Sequence, residues 1–598
     1  MMTRGKGSIL ARWLPGVQAA LSYKRDWLRA DLVAGVVLTA LLVPQGMAYA
    51  ELAGLPAVTG LYTTVTALLA YAVLGPSRLL VLGPDSALGP LIAASILPLV
   101  GAHGSPSRAV ALAGMLALMM GLVCIVAGLA RLGAVAELLS KPVRIGYING
   151  LAIVVVVSQL PKLFGFSTEA RGVVPELRAF GKGVVDGLVS WRSLIIGVAC
   201  IAVIVGVRLL RPQLPGILIA VVGATIVVAA FELATKGVGV VGPVPSGFPA
   251  PTWPGVGLGD VGRLLGAAVG LTFITLTDST ALARTFGLRQ GQEVDANAEV
   301  VALGGANLAA GLFQGFPVSA SSTRTAVAES SGARTQMAGV VAATGIVLIL
   351  VLASSLVRNL PLSALAAVVI VAGVSLFDLP SLRWLWRVRP TEFLLGAAAL
   401  VGVVALGALW GIVIAVGLSL AEFVRRQWRP YDALLGRVHG TKGYHDIERH
   451  PEAEQIPGLL IYRFDAPIFF ANAEHLERRV RVMVDQQRAA GEVVNRIVFA
   501  AEPITDIDTT GAEVLHRLLE ELRSEGIDVA FAELKGPVKD RLRRYGLYEQ
   551  LGQHGFPPTL GVAVDDYLHD TGVQWVDWTD APGAAGSTGD ERAGRGPV

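Results

Sequence analysis

Charge is scarce in this chain. Asp, Glu, Lys and Arg make up 16% of its 598 residues, where a soluble globular protein carries about 25%, and the mean hydropathy is +0.59. The deficit is confined to residues 31–422, which are mostly long apolar runs; after Arg425 the composition is that of an ordinary soluble domain. Two domains that face different solvents follow. Cysteine is nearly absent: Cys124 and Cys200 both sit inside apolar runs, so a disulfide framework is excluded, and their spacing suits no metal site. A net charge of +3 gives no basis for a nucleic-acid partner. No Ser/His/Asp set, phosphate-binding glycine loop or metal cluster is found, so neither an enzyme nor a cofactor is expected. Arg4, Lys6, Arg12, Lys24, Arg25 and Arg29 precede the first apolar run, but no small-residue cleavage site follows it, and a cleaved signal peptide is not expected.

A helix needs roughly 20 mostly apolar residues to cross a bilayer. Uncharged runs at 32–50, 52–77, 109–130, 213–231, 300–323 and 335–357 qualify. The run 393–421 suffices for two helices with a tight turn near Gly407 to Gly411, and shorter or interrupted runs lie near 86–98, 145–160, 193–207, 264–283 and 360–377. The expected total is about fourteen spans. With the basic N-terminus in the cytoplasm, the even-numbered spans end near Arg78, Arg131, Lys141 and Arg144, Arg208 and Arg211, Arg284 and Arg289, Arg334, Arg383 to Arg389, and Arg425 to Arg429. Every clustered basic loop then falls on one side, as the positive-inside rule requires. The expectation is a multi-pass protein of the cytoplasmic membrane with both termini in the cytoplasm.

Two stretches read as non-helical. One is Leu79-Leu80-Val81-Leu82-Gly83-Pro84-Asp85-Ser86-Ala87; the other runs from Phe313 through Gly315-Phe316-Pro317 to Ser321-Ser322-Thr323-Arg324. Each has an extended apolar stretch, then Gly or Pro and small hydroxyl residues, then a short helix. The first follows two spans, and the second falls two spans into the second half, which is the pattern of an inverted repeat of seven plus seven. Irregular backbone is tolerated at membrane depth only where it is buried in protein or lines a cavity. Two short helices entering from opposite sides would aim their N-termini at each other, and each N-terminus carries unpaired N–H groups and about half a positive charge. An anion site follows, to which Arg324 would add a full charge, although an Arg here could also pair with Asp278 or snorkel to water. Ser86, Ser321, Ser322 and Thr323 suit both helix capping and anion contact. Asp278, in Thr275-Leu276-Thr277-Asp278-Ser279, either carries a coupling ion or serves as counter-ion to Arg324. Glu51 and Glu299 fall at span ends, where a solvated face is expected.

These residues make the chain resemble the SulP family of sulfate permeases and related anion transporters. Pro44-Gln45-Gly46, Gly60-Leu61-Tyr62, Leu139-Ser140-Lys141-Pro142-Val143, Ser158-Gln159-Leu160, Ala302 to Asn307 and Gly315-Phe316-Pro317-Val318-Ser319 carry the resemblance. It implies a fourteen-helix domain of two inverted repeats, divided into core and gate, with an anion held between the third and tenth spans. Carried over by motif, Gln45 and Tyr49 would line the site from the first span, Asp85 to Ala87 from the third, and Ser322, Thr323 and Arg324 from the tenth. Many relatives have Glu where Asp278 stands, and sodium-dependent bicarbonate members pair an Asp there with a Thr four residues on. Here that later position is Leu282, which counts against Na⁺ and bicarbonate and leaves H⁺ as the favoured coupling ion.

After Tyr431 a polar stretch with His439, His445 and His450 reads as a solvated linker. A small α/β pattern follows, with strands at 459–464, 497–500 and 529–532 and helices at 472–488 and 511–524. It resembles a STAS domain. Its loop Asp506-Ile507-Asp508-Thr509-Thr510-Gly511 places Thr510 where related proteins carry a phosphorylated Ser, although Asp508 and Thr510 also suit simple helix N-capping. The expected division is a cytoplasmic N-terminus (1–30), an anion-transport domain in the membrane (31–425), a linker (426–457), a cytoplasmic STAS domain (458–570) and a disordered tail (571–598), with a homodimer as the expected assembly. The function expected is secondary transport of sulfate or a similar oxyanion, by H⁺-coupled symport or anion exchange. A bicarbonate or dicarboxylate transporter, a uracil-like carrier, an anion channel of the same fold and a non-transporting sensor are the alternatives.

Overall fold

The computed structural model describes residues 14–101, 104–131, 140–168, 170, 172–211, 214–352 and 357–575. Arg4, Lys6, Arg12, Leu139 and the tail beyond 575 lie outside them. The chain divides into two units, one ending at Leu420 and the other beginning at Ala421.

Fourteen helices form the two repeats of the first unit among the described residues, beside three further helices, Pro15–Leu21, Val173–Val185 and Leu379–Val388. The first repeat holds α1 (Leu28–Leu52), α2 (Ala57–Leu74), strand β1 (Leu82–Gly83), α3 (Gly89–Val100), α4 (Pro106–Leu129), α5 (Lys141–Leu163), α6 (Trp191–Leu210) and α7 (Gly216–Ala230). The second holds α8 (Leu258–Arg289), α9 (Ala296–Leu312), β2 (Ser319–Ala320), α10 (Ser322–Ser330), α11 (Met337–Leu352), α12 (Leu362–Leu376), α13 (Pro390–Leu406) and α14 (Ala408–Trp428). Seven helical segments are long and apolar enough to cross a membrane by themselves, and Gly89–Val100, Gly216–Ala230, Met337–Leu352 and Pro390–Leu406 are shorter apolar helices. The turn between α13 and α14 sits at Gly407, whose φ of 92° explains why a glycine stands there.

Packing separates the helices into two bundles. Helix α9 packs on α4 and α2, and α11 on α1, whereas α5 packs on α13 and α12, and α6 on α7 and α12. Small residues set the closest approaches, as in other membrane bundles. A Cβ added at Gly121 on α4 would stand 2.7 Å from the carbonyl oxygen of Gly304 on α9, and one at Gly114 would stand 3.0 Å from that of Gly311. Glu299 departs from the solvated face expected for it. It is fully buried, and the Tyr71 hydroxyl lies 2.8 Å from both its carboxyl oxygens. Glu51 is ion-paired with Lys162 at 3.0 Å.

The second unit is a five-stranded sheet with helices on both faces. Its order is β4-β3-β5-β6-β7, from β3 (Asp432–Arg437), β4 (Tyr444–Asp446), β5 (Leu459–Phe464), β6 (Arg496–Ala500) and β7 (Asp528–Ala532). The stretch 426–457 is therefore not a linker. Its residues 432–435 pair with β5, and 435–437 pair with 444–446, which form the sheet edge. A polar surface hid these strands, because a strand at or next to a sheet edge need bury only alternate residues; in β3 the buried ones include Ala433 and Leu435. Alternation also assigns Leu460, Tyr462 and Phe464 to one core, and Leu459 and Ile461 to the core on the opposite face.

Candidate functional site

The two extended stretches form one structure. Strands β1 and β2 pair antiparallel, Leu82 with Ala320 and Gly83 with Ser319. Two residues a side cannot satisfy the rest of the buried backbone, and buried side chains complete it. Val81 N–H donates to Thr325 Oγ1 (3.1 Å), Phe316 N–H to Thr63 Oγ1 (3.2 Å), Val318 N–H to Asn307 Oδ1 (2.9 Å) and Ala320 N–H to Ser279 Oγ (3.2 Å). Gln336 Nε2 donates to the carbonyls of Ser77 (3.0 Å) and Leu80 (2.9 Å). The irregular backbone is thus held by side chains of α2, α8, α9 and α10 and by Gln336, just ahead of α11.

Arg324 is the largest element of this scaffold. It is 1% exposed. Its guanidinium donates to the carbonyls of Gly83 and Ser319, each at 3.2 Å, and to that of Pro84. Its ion-pair partner is Asp85, at 3.9 Å. The pairing with Asp278 considered from sequence is not formed. Nor does Arg324 line the cavity described next; it clips the two stretches together from behind, with its charge opposed by Asp85.

A cavity of about 650 Å³ lies in front of the clip. Gln45, Tyr49, Asp85, Ser86, Ala87, Asp278, Ser322 and Thr323 all line it. Gln45 and Tyr49 are four residues apart on α1 and so share a face. The Asp85 carboxylate accepts from Ala87 N–H (2.9 Å) at the approach to α3. No side chain caps α10, whose first N–H groups therefore start uncapped at Ser322; Ser321 Oγ and Thr323 Oγ1 bond to each other at 3.0 Å. Gln45 Oε1 and Thr275 Oγ1 are buried without a hydrogen-bond partner among the described residues. The opposite wall comes from the second bundle: Arg144, Ile145 and Ile148 of α5, Arg208 of α6, and Val368, Val371 and Ala372 of α12. Sequence reasoning used Arg144 and Arg208 only for orientation. Nothing in a basic residue near a span end separates a cavity wall from a membrane face.

A family model described as the sulfate permease family matches residues 28–399, and one for the STAS domain matches 450–563. The chain belongs to the sulfate permease family. A protein of this family from Mycobacterium tuberculosis, named a probable sulfate transporter, is 41% identical over 93% of this chain and 98% of its own length. Sulfate transporter 4.1, chloroplastic, from Arabidopsis thaliana is 30% identical over 89% of this chain and 79% of its own. Among solved structures, the murine anion transporter Slc26a9 in an inward-facing state superposes with a TM-score of 0.86 at 22% identity, covering 95% of this chain and 96% of the other. The transmembrane domain of a cyanobacterial bicarbonate transporter, BicA, gives 0.58 at 25% identity, covering 66% and 99%. The sulfate permease domain and the STAS domain correspond to the two units, and the chain is a multi-spanning anion transporter rather than an enzyme.

The candidate regulatory residue Thr510 lies in the second unit, exposed at the start of the helix Thr509–Ser524. Asp508 Oδ1 accepts from Gly511 N–H at 2.6 Å and Oδ2 from Phe470 N–H at 3.0 Å. Asp508 is thus the cap, and the Thr510 hydroxyl remains at the surface.

Proposed function

We propose that this protein carries sulfate, or a closely similar oxyanion, across the cytoplasmic membrane by alternating access, with H⁺ symport or anion exchange as its mode. The observation that carries this reading is the 650 Å³ cavity between the bundles, lined by the approaches to both short helices. Helix N-termini meeting in a protein-enclosed space suit an anion. The names of the relatives, sulfate transporters in a bacterium and in plants, favour sulfate. Leu282, one turn beyond Asp278 in the lining, offers Na⁺ no oxygen, which favours H⁺. The cavity wall holds Arg144 and Arg208, residues that the basic-loop pattern assigns to the cytoplasm, so the conformation is read as inward-open with both termini inside. The second bundle then acts as a gate that moves against a core built on the Arg324 clip, and two copies form the assembly. The test is uptake of radiolabelled sulfate into proteoliposomes, with unlabelled sulfate, bicarbonate, nitrate and succinate as competitors. Sulfate should compete best; a liposome that takes up bicarbonate or succinate while excluding sulfate would refute the reading.

The STAS domain follows the last span, so its role is to tune assembly or rate. Because β3 and β4 belong to its sheet, a truncation should end at Pro430 rather than in the former linker. The shortened transporter should bind sulfate within about threefold of the full chain, a change of less than 1 kcal/mol. A folded, membrane-inserted truncation that binds no sulfate would show that the division of labour is wrong.

A further inference from the structure

The geometry points to Arg144 as the gate-side ligand that makes the site selective for a doubly charged anion. This inference rests on the reading of the central cavity as the anion site and adds the residue that sets its charge preference. Consider what the core half supplies. Two helix N-termini provide about half a positive charge each, a total matched to one negative charge. Arg324 adds little beyond that, since its guanidinium is turned to three backbone carbonyls and opposed by Asp85. Asp278, also in the lining, subtracts. A dianion therefore needs a further cation, and among the described residues only Arg144 and Arg208 bring a basic side chain to the cavity wall.

Of the two, Arg144 is the better placed. Arg208 is exposed near the C-terminal end of α6, whereas Arg144 is half-buried one turn into α5. Its side chain makes no ion pair within 4 Å and no hydrogen bond among the described residues, and it lines the same cavity as Asp278. Its donors are thus uncommitted, and they face the core. Arg144 would take one or two oxygens of the anion through its planar fork, while the core amides hold the rest. A singly charged anion is satisfied by the core half alone and gains little from the gate.

The experiment compares sulfate and nitrate on the purified full chain, by calorimetry in detergent and by competition in proteoliposomes, for wild type, Arg144→Gln and Arg144→Lys. Arg144→Gln should weaken sulfate by about ten- to a hundredfold, the loss of one charge-assisted contact, and nitrate by less than about threefold. Arg144→Lys should keep most of the preference for sulfate, because the charge remains. Equal losses for both anions in Arg144→Gln, or no loss for either, overturns the proposal. Should Arg144→Gln fail to give a monodisperse protein, Arg144→Met takes its place with the same expected losses, and an unchanged sulfate-to-nitrate ratio there overturns the proposal. Wild-type protein that binds nitrate but not sulfate removes this inference together with the reading beneath it. Wild-type sulfate binding that is indifferent to Arg144 removes only this one.

Discussion

Arg324→Ala should leave a protein without measurable sulfate binding and with a lowered melting temperature. The guanidinium holds the carbonyls of Gly83, Pro84 and Ser319 and stands 3.9 Å from Asp85. Alanine strands all of these groups in a buried place. Breaking one side of a buried ion pair costs about 3–5 kcal/mol, and an orphaned buried carbonyl costs about 1–3 kcal/mol. Even without adding these figures, the loss is a large share of a typical stability of about 5–15 kcal/mol. Lysine keeps the charge but presents its donors from a single nitrogen, so it cannot span carbonyls on two strands. Arg324→Lys should recover part of the thermal stability and a smaller part of the affinity. Calorimetry gives the affinity, and thermal unfolding in detergent gives the stability. Undiminished sulfate affinity in Arg324→Ala would put the site elsewhere. Lost affinity with an unchanged melting temperature would make Arg324 a charge for the anion and not a clip for the backbone.

That second outcome is what the sequence alone suggests, and the difference shows where sequence reading stops. The span pattern, the two broken stretches and the repeat were legible because each rests on local chemistry: apolar runs of a given length, Gly and Pro before a short helix, hydroxyl residues at its start. The lining residues Gln45, Tyr49, Asp278, Ser322 and Thr323 were legible for the same reason, helped by motifs. The direction of the Arg324 side chain was not. It depends on carbonyls of Gly83 and Pro84, 241 and 240 positions away, and on Asp85, whose acid charge opposes it. Glu299 was misjudged because a carboxylate near a span end ordinarily reaches water, and only the fold brings the Tyr71 hydroxyl, 228 positions distant, to it. Arg144 was absorbed into the orientation argument, since the same residue serves the positive-inside rule and the cavity wall. Strands β3 and β4 were lost in a polar composition, and the pairing of Leu434 with Tyr462 is what defines them.

Asp278→Asn should abolish the pH dependence of net sulfate uptake while leaving sulfate-for-sulfate exchange intact. Asp278 lines the cavity and makes no hydrogen bond among the described residues, so no structural partner consumes its charge. An acid placed so within a membrane segment is a functional candidate by default. The charged groups that share the cavity lining with it are Arg144 from α5, Arg208 from α6 and Asp85 from the approach to α3. When a dianion enters and draws on Arg144, the carboxylate loses the attraction of that cation. A proton taken up by Asp278 at that moment removes a negative charge from beside the anion, and the loaded carrier reorients with less charge. Proton and sulfate then cross together, so uptake should rise as the outside becomes more acidic. Asparagine is fixed in the uncharged form; the carrier can turn when loaded, which permits exchange, but it cannot report a proton gradient. A purely structural acid predicts something else: exchange and net uptake should fall together, with the remaining uptake still dependent on pH. Transport is measured in proteoliposomes with and without internal sulfate, at equal and at unequal pH across the membrane. Wild-type uptake that ignores a pH gradient would remove proton coupling whatever the variant does, and would leave anion exchange as the mode of transport.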